Sequence, residues 1–555
     1  MNGPSDPRAR APSVLANLLL VLGSVAAALL FLGVAEGGLR LAGIGDPDVS
    51  RSSRLKYQQI YLPVFEEATT RDGALVRRVA DARLAYDAFL DRKEPQSIRV
   101  FVFGGSAAAG LGFSPNASFA GFLERMLRDA HPDATVEVVN LGMVALASRQ
   151  VKILVEDVCR RYEPDAVVVY SGNNEFLEVH AEAYFEATAS WWRRIGDGLM
   201  GSNFYRSLSR AVRGPPRTPS LAELEFSGDD LRRSAEETLT EQIELEVDDI
   251  GEVVERYRNH LAEIADVAAE SDVPLVLMTV ASNWRWRGRH DLPPGWIVEL
   301  VGGAGEEPSA EGLREARRIL SERLEGARGS ARHEALYRRA VVSERLGELG
   351  AARSDYAAAV DADPHLRRAL TSMNGRVRTL AQERGVSLVD TVEVLSTQAK
   401  SGIIGFDEFF DYVHFTPRGA LLVAAALYRA LEQAGVTAPA EDFDAGAFVA
   451  DELVRLGNRE RDALRLEDWV GFGFDPDRIA DRDLWKYDRM IQSLDRRLET
   501  EPHDVTARVY RGNAHYFRVG GGAAAEADYR AALESGGGSP EIQANLERVL
   551  AEERP

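Results

Sequence analysis

The spacing of hydrophobic and polar positions changes several times along the chain. Val14 to Ala35 is apolar except for Asn17, Gly23, Ser24 and Gly33. A spanning helix needs about 20 such residues to cross ~30 Å of hydrocarbon. The run therefore predicts a transmembrane anchor at 14–35. A cleaved signal peptide would carry a shorter apolar core, of ~7–15 residues. Residues 36–97 read as a charged juxtamembrane connector with short elements.

From there the period alternates between that of strands and that of helices. Ser97–Phe103, Val136–Val139, Asp165–Tyr170, Val273–Val280 and Val386–Asp390 are short β-branched runs, which predict strands. In 118–130, Phe119, Phe122, Leu123, Met126 and Leu127 fall on one helical face. Helices are also predicted at 150–162, 250–270, 368–384 and 416–434, the last with Pro417 in its first turn. Strand and helix in alternation predict an α/β domain, a doubly wound parallel sheet over 98–435.

An insertion at about 305–366 interrupts that domain. His333–Pro364 carries Leu336, Gly347, Ala352, Tyr356, Ala359 and Asp363-Pro364. These resemble the small, aromatic and Pro positions of the ~34-residue tetratricopeptide repeat. The C-terminal region, 436–555, reads as helical and has a similar stretch at about 485–550, with Tyr516, Gly520, Tyr529 and Ala532. An ordinary Ala-rich helical pair has the same spacing, so both readings stay open. A repeat of this kind cannot bury its faces alone, which implies packing on a neighbour or a protein partner.

Charge and composition narrow the function. The formal net charge of −21 repels phosphate backbones and argues against nucleic acid. Cys159 is the single cysteine, so an intramolecular disulfide and a Cys-rich zinc site are excluded. Arg8 and Arg10 precede the apolar run and favour a cytoplasmic tail at 1–13. Arg40, Arg51, Arg54 and Lys56 on the other flank weaken that bias. The expectation is a single-pass protein of a bacterial inner membrane, with its α/β domain on the periplasmic side.

Candidate chemistry lies after the predicted strands. Phe103-Gly104-Gly105-Ser106, Asn140-Leu141-Gly142 and Ser171-Gly172-Asn173-Asn174-Glu175 each follow one, and Asp411-Tyr412-Val413-His414 precedes the closing helix. Open parallel sheets place their sites at such strand ends. A serine hydroxyl is a poor nucleophile until a base takes its proton. His414 supplies a base near neutrality, and Asp411, three residues earlier, can fix its tautomer. No other histidine of the nine has Asp at that spacing. His180 lacks an Asp partner, and Trp191-Trp192 with Arg193 and Arg194 reads either as an interfacial cluster or as a packing pair. Asn283 follows a strand and reads as a cleft residue or a turn cap. The sequence has no His-Glu-x-x-His or similar ligand cluster, so neither a metal nor a cofactor is expected.

These four stretches, in this order, resemble the SGNH (GDSL-type) hydrolase family over roughly 98–180 and 367–435. The resemblance implies a three-layer, flavodoxin-like α/β fold. It makes Ser106 the nucleophile, with His414 and Asp411 completing a triad. Ser106, Gly142 and Asn174 become the oxyanion donors; Gly105, Asn173 and Glu175 beside them, and Asn283 from its place after a strand, are candidates for the substrate cleft. Gly105 stands where the family has Asp before Ser, and Glu175 where it has Asp after Asn. The implied activity is that of an esterase, deacylase or O-acyltransferase acting on acylated carbohydrate or lipid. The alternative is a non-catalytic scaffold or carbohydrate-binding protein on the same platform.

Overall fold

In the computed structural model the described residues are 14–42, 44, 60, 62–69, 75–79, 88–111, 117–177, 179, 202–213, 247–286, 292–293, 295–303, 307–457, 491, 494–495, 498–499, 501–516, 522–536 and 540–552. The tail at 1–13, His180, Trp191, Trp192, Arg193, Arg194 and Gly520 lie outside them.

Two units divide the chain. The first falls within residues 1–52 and 185–217. It holds helix α1, Val14–Leu41, the one helix among the described residues long and apolar enough to cross a membrane. The Glu36 carboxylate of α1 accepts hydrogen bonds from the Asn203 and Phe204 amides, both at 2.9 Å, and from Ser202 Oγ at 2.7 Å. It thereby satisfies the free N–H groups that open helix α5, Asn203–Arg213.

The second unit is built on a parallel sheet of five strands. In chain order these are β4 (Ser97–Gly104), β5 (Thr135–Gly142), β6 (Ala166–Tyr170), β7 (Leu275–Met278) and β8 (Ser387–Val389). Their spatial order is β5-β4-β6-β7-β8, and every neighbouring pair is parallel. Because side chains alternate along a strand, each strand feeds two cores. Val100, Val102, Val138, Val168 and Val276 face one, with α3 (Phe119–Ala130) and α13 (Pro417–Gln433). Phe101, Phe103, Val139, Val167 and Leu277 face the other, with α4 (Ser148–Arg161), α6 (Val247–Glu270) and α11 (Thr371–Arg384). Helices α12 (Thr391–Gln398) and α14 (Ala445–Gly457) pack beside α13, and helices thus cover both faces of the sheet, as a parallel sheet requires.

The stretch expected to be a connector is partly core. Strands β1 (Phe65–Thr69), β2 (Leu75–Val79) and β3 (Ala88–Leu90) form an antiparallel sheet of their own. Phe65 and Phe89 pack edge-on against Phe101, at 6.1 and 5.3 Å between ring centres. Arg99 of β4 pairs with Glu137 of β5 at 2.7 Å, both side chains 1% exposed. The same two residues hold β3, since Arg99 donates to the Leu90 carbonyl and Glu137 accepts from the Leu90 amide, each at 2.8 Å.

Between β7 and α11 lie the short helix α7 (Trp296–Leu300) and the longer helices α8 (Ala310–Leu324), α9 (Gly329–Arg345) and α10 (Leu349–Asp361). Leu336, Tyr337 and Ala340 of α9 pack against Ala352, Tyr356 and Ala359 of α10. Arg339 grips Asp355 across the pair through two bonds, at 2.8 and 2.7 Å. The C-terminal helices α15 (Val505–Tyr516) and α16 (Gly522–Glu534) repeat that arrangement. There Arg511 grips Asp528 at 2.8 and 2.6 Å, and Tyr529 follows Asp528 as Tyr356 follows Asp355. Helix α17, Pro540–Glu552, adds Ile542, Leu546 and Val549 to the second cluster.

Candidate active site

Strands β4, β5 and β6 end level with one another: Gly104 pairs with Gly142 on one side and with Tyr170 on the other. The loops that follow them therefore start at one edge of the sheet. The strand order changes direction between β4 and β6, the place where such sheets hold ligands.

Ser106 opens the single-turn helix α2, Ser106–Ala109, directly after β4. Its Oγ lies 2.8 Å from His414 Nε2. His414 Nδ1 lies 2.6 Å from Asp411 Oδ2. An ionised carboxylate only accepts, so Nδ1 carries the proton and Nε2 is left to accept from the serine. Asp411 is itself held in place, because its Oδ1 accepts from the amides of Val413 at 2.9 Å and His414 at 2.8 Å. Burial raises the Asp411 carboxyl, but the His414 ring and these amides more than offset it, so it sits below the usual carboxylate value.

The loop bearing His414 is braced from several sides. Phe410 stacks on the imidazole at 5.7 Å, and the Phe410 amide donates to the His414 carbonyl at 3.1 Å. Thr416 caps α13 by accepting from the Gly419 amide, with Pro417 next in line. His414 is thus fixed immediately before a rigid helix.

Asn174 reaches the serine turn from the loop after β6. Its Nδ2 donates to the Leu146 carbonyl at 2.8 Å. A Cβ on Gly105 would fall 2.5 Å from the same nitrogen, so only glycine lets the Asn174 amide lie against this turn.

The structure commits three of the expected site residues to other contacts, Asn283 to the turn cap that its sequence position also allowed. Gly142 does not present a free amide: its N–H donates to Asn140 Oδ1 at 2.9 Å. Its lack of a side chain serves packing, since a Cβ there would fall 2.3 Å from the Ala109 nitrogen of α2. Glu175 does not line a cleft. It is buried, and it accepts from the Ser148 amide at 2.9 Å and from Ser148 Oγ at 2.7 Å, which caps α4. Asn283 is also buried, and its Nδ2 donates to the Asp411 carbonyl at 2.9 Å while its Oδ1 accepts from the Arg285 amide. Asn173 is half-buried, and its Oδ1 accepts from the Ala369 amide at 3.0 Å.

Sequence reasoning gave no role to two residues around this site, Asn140 and His260. Asn140 ties the end of β5 to α2 by donating to the Ala108 carbonyl at 2.9 Å. His260 of α6 meets Ser148 Oγ at 2.9 Å through Nδ1. The Ser148 hydroxyl proton is committed to Glu175, so His260 must be the donor. Burial, aided by nearby Lys152, pushes the His260 imidazole down to about 4. A strand end two residues before Gly142 was the one available signal for Asn140.

No family model matches the chain, and no curated protein matches it. Among solved structures, an acetyl xylan esterase is similar at 11% identity, covering 60% of this chain and 100% of its own, with a TM-score of 0.28. A lipase/acylhydrolase from Enterococcus faecalis is similar at 15% identity over 62% of this chain and 98% of its own, with a TM-score of 0.27. A GDSL-like lipase from Bacteroides thetaiotaomicron shows 12% identity, 62% and 93% coverage, and a TM-score of 0.26.

Proposed function

We propose that this chain is a membrane-anchored serine hydrolase of ester bonds, working through an acyl-enzyme on Ser106. The observation that carries the reading is the unbroken hydrogen-bond chain from Ser106 Oγ through His414 to Asp411. In this reading Ser106 Oγ attacks the ester carbonyl while Nε2 takes its proton. The alkoxide leaves with that proton from the imidazolium, and an acyl-serine remains. Water then attacks the acyl group, gives its proton to Nε2, and releases the acid as Oγ recovers its hydrogen. Asp411 holds the imidazole in the required tautomer and stabilises it when charged. The Ser106 amide and Asn174 Nδ2 are the oxyanion donors of this mechanism. A sugar hydroxyl in place of water would make the same site an O-acyltransferase.

The substrate class proposed is acylated carbohydrate or lipid outside the cytoplasm. The anchor assignment draws on α1 and on Glu36, whose carboxylate caps α5 and gives the apolar helix a role in the folded unit. The tetratricopeptide reading draws on the matching Arg339–Asp355 and Arg511–Asp528 grips. On that reading the hairpins recruit a protein partner.

Fluorophosphonate labelling of the purified full chain tests the enzyme reading, with labelling at Ser106 and hydrolysis of short aryl esters as the expected results. A folded protein that neither labels nor hydrolyses would leave the scaffold alternative.

A further inference from the structure

The segment leaving the inserted hairpin touches both arms of the site. After α10 the chain passes Asp363, turns at Leu366 with φ of +46°, and reaches Arg368 and Ala369 before α11 begins at Thr371. A left-handed φ is unfavourable for leucine, so the surrounding contacts must enforce it. Leu366 is buried in the core that α11 shares with the sheet.

Arg368 is buried, and three groups take its guanidinium. Nη1 donates to the Asn283 carbonyl at 3.1 Å and to the Trp286 carbonyl at 3.5 Å. Nη2 donates to Asp363 Oδ2 at 3.3 Å. The guanidinium also lies 5.4 Å from the centre of the Trp286 ring. The 283–286 segment it holds is in turn fastened to the Asp411 loop. Asn283 donates to the Asp411 carbonyl through Nδ2 and to the Tyr412 carbonyl through its amide, at 2.9 and 3.0 Å. Trp286 packs on Tyr412 at 5.0 Å. From the other side, helix α9 clamps the same segment: Tyr337 Oη donates to the Arg285 carbonyl and Glu344 pairs with the Arg285 guanidinium, both at 2.6 Å. Next to Arg368, the Ala369 amide holds Asn173, the neighbour of Asn174.

We propose that Arg368 is a positioning residue, through which the inserted hairpin sets the placement of Asp411 and hence of His414. The proposal rests on the hydrolase reading for its catalytic consequence, though not for its geometry. A plain buried ion pair would do something different. Its loss would lower the fraction of folded molecules and leave each folded molecule fully active. Loss of a positioning contact lowers turnover in molecules that remain folded. Misplacement by ~1 Å can cost 10²-fold in rate.

The test compares Arg368→Met and Asn283→Ala in the full chain, in detergent micelles. Asn283→Ala keeps the Arg368–Asp363 pair intact, so it decides the matter if Arg368→Met does not fold. Two readouts are taken on protein shown to be folded by circular dichroism. The first is kcat and KM on a short aryl ester. The second is the downfield proton NMR signal of His414 Nδ1–H, which requires no activity. The expected result is a fall in kcat of about 10- to 100-fold with KM within about twofold, and a shifted or broadened Nδ1–H signal. The double variant should be no worse than the poorer single, because the two residues act in series. If the wild-type chain neither hydrolyses nor labels at Ser106, the hydrolase reading falls, and the Nδ1–H signal alone decides the link to Arg368. If the wild type is active and the variants retain both kcat and the Nδ1–H signal, the hydrolase reading stands and the positioning role is overturned. Strictly multiplicative losses in the double variant would also overturn it.

Discussion

Gly105 and Asn174 are in contact across the mouth of the sheet: the position of a Cβ on Gly105 lies 2.5 Å from Asn174 Nδ2. The glycine therefore reserves the space in which a side-chain amide can face the serine. Gly105→Ala should displace Asn174 and lower kcat toward the level of Asn174→Ala. Removing one oxyanion donor typically costs about 10²–10³ in kcat. Steady-state kinetics on a short aryl ester would check both variants. Full activity in Gly105→Ala would mean that Asn174 does not act from this position.

The proposed triad makes a sharper demand. Ser106→Ala and His414→Ala should each abolish nearly all hydrolysis, and the double variant should be little worse than either. Asp411→Asn should leave the fold intact yet lower kcat by roughly 10⁴, the scale seen when the histidine tautomer is mis-set. Its labelling by a fluorophosphonate should slow in parallel. An Asp411→Asn enzyme with unchanged kcat would remove Asp411 from the mechanism.

His260 gives a prediction about pH and stability. Its folded value of about 4 lies below the ordinary 6.5. The unfolded chain therefore takes up the proton first, and stability falls as pH drops from about 6.5 toward about 4. Burial is the main cause, with Lys152, Arg256 and Arg149 acting in the same direction and Glu263 opposing them. His260→Gln should flatten this part of the curve of melting temperature against pH. An unchanged slope in that variant would place the acid sensitivity elsewhere.

The Arg99–Glu137 pair should be costly to break. Both side chains are 1% exposed, and the pair also holds the β3 backbone. Leaving one charge buried without its partner typically costs about 3–5 kcal/mol. Glu137→Ala should lower the urea midpoint by a corresponding amount and expose the β1–β3 sheet to protease. A loss of less than about 1 kcal/mol would indicate that water or another group replaces the partner.

The sheet was legible in the sequence because its strands are short apolar runs that end in glycine or in a polar loop. Ser97–Phe103 and Asp165–Tyr170 overlap the observed β4 and β6 almost residue for residue. The antiparallel sheet was not legible: Leu75-Val-Arg-Arg-Val79 has no clean alternation, and Phe65 and Phe89 find their partner Phe101 only in three dimensions. The order and spacing of the four polar stretches marked the residues that meet at the sheet edge. What spacing cannot show is where a polar group spends its hydrogen bonds. Gly142, Glu175 and Asn283 stand at strand ends, where a cleft would be lined, yet neighbouring groups already hold their polar atoms. Gly142 is held by Asn140, only two positions away, but Glu175 and Ser148 are separated by 27 positions, and Asn283 and Asp411 by 128. The helix predicted at 368–384 is observed to begin three residues later, because Arg368 and Ala369 are committed to the segment that leaves the inserted hairpin.

Ser106 and His414 meet although 308 positions separate them. On a ribosome adding ~5–20 residues per second, that interval is about 15 to 60 s. For that time the nascent chain holds Ser106 without His414, its base on the hydrolase reading. On the hydrolase reading the site can be complete only once the segment bearing His414 has been made and has packed, and by then the inserted hairpin has already been synthesised.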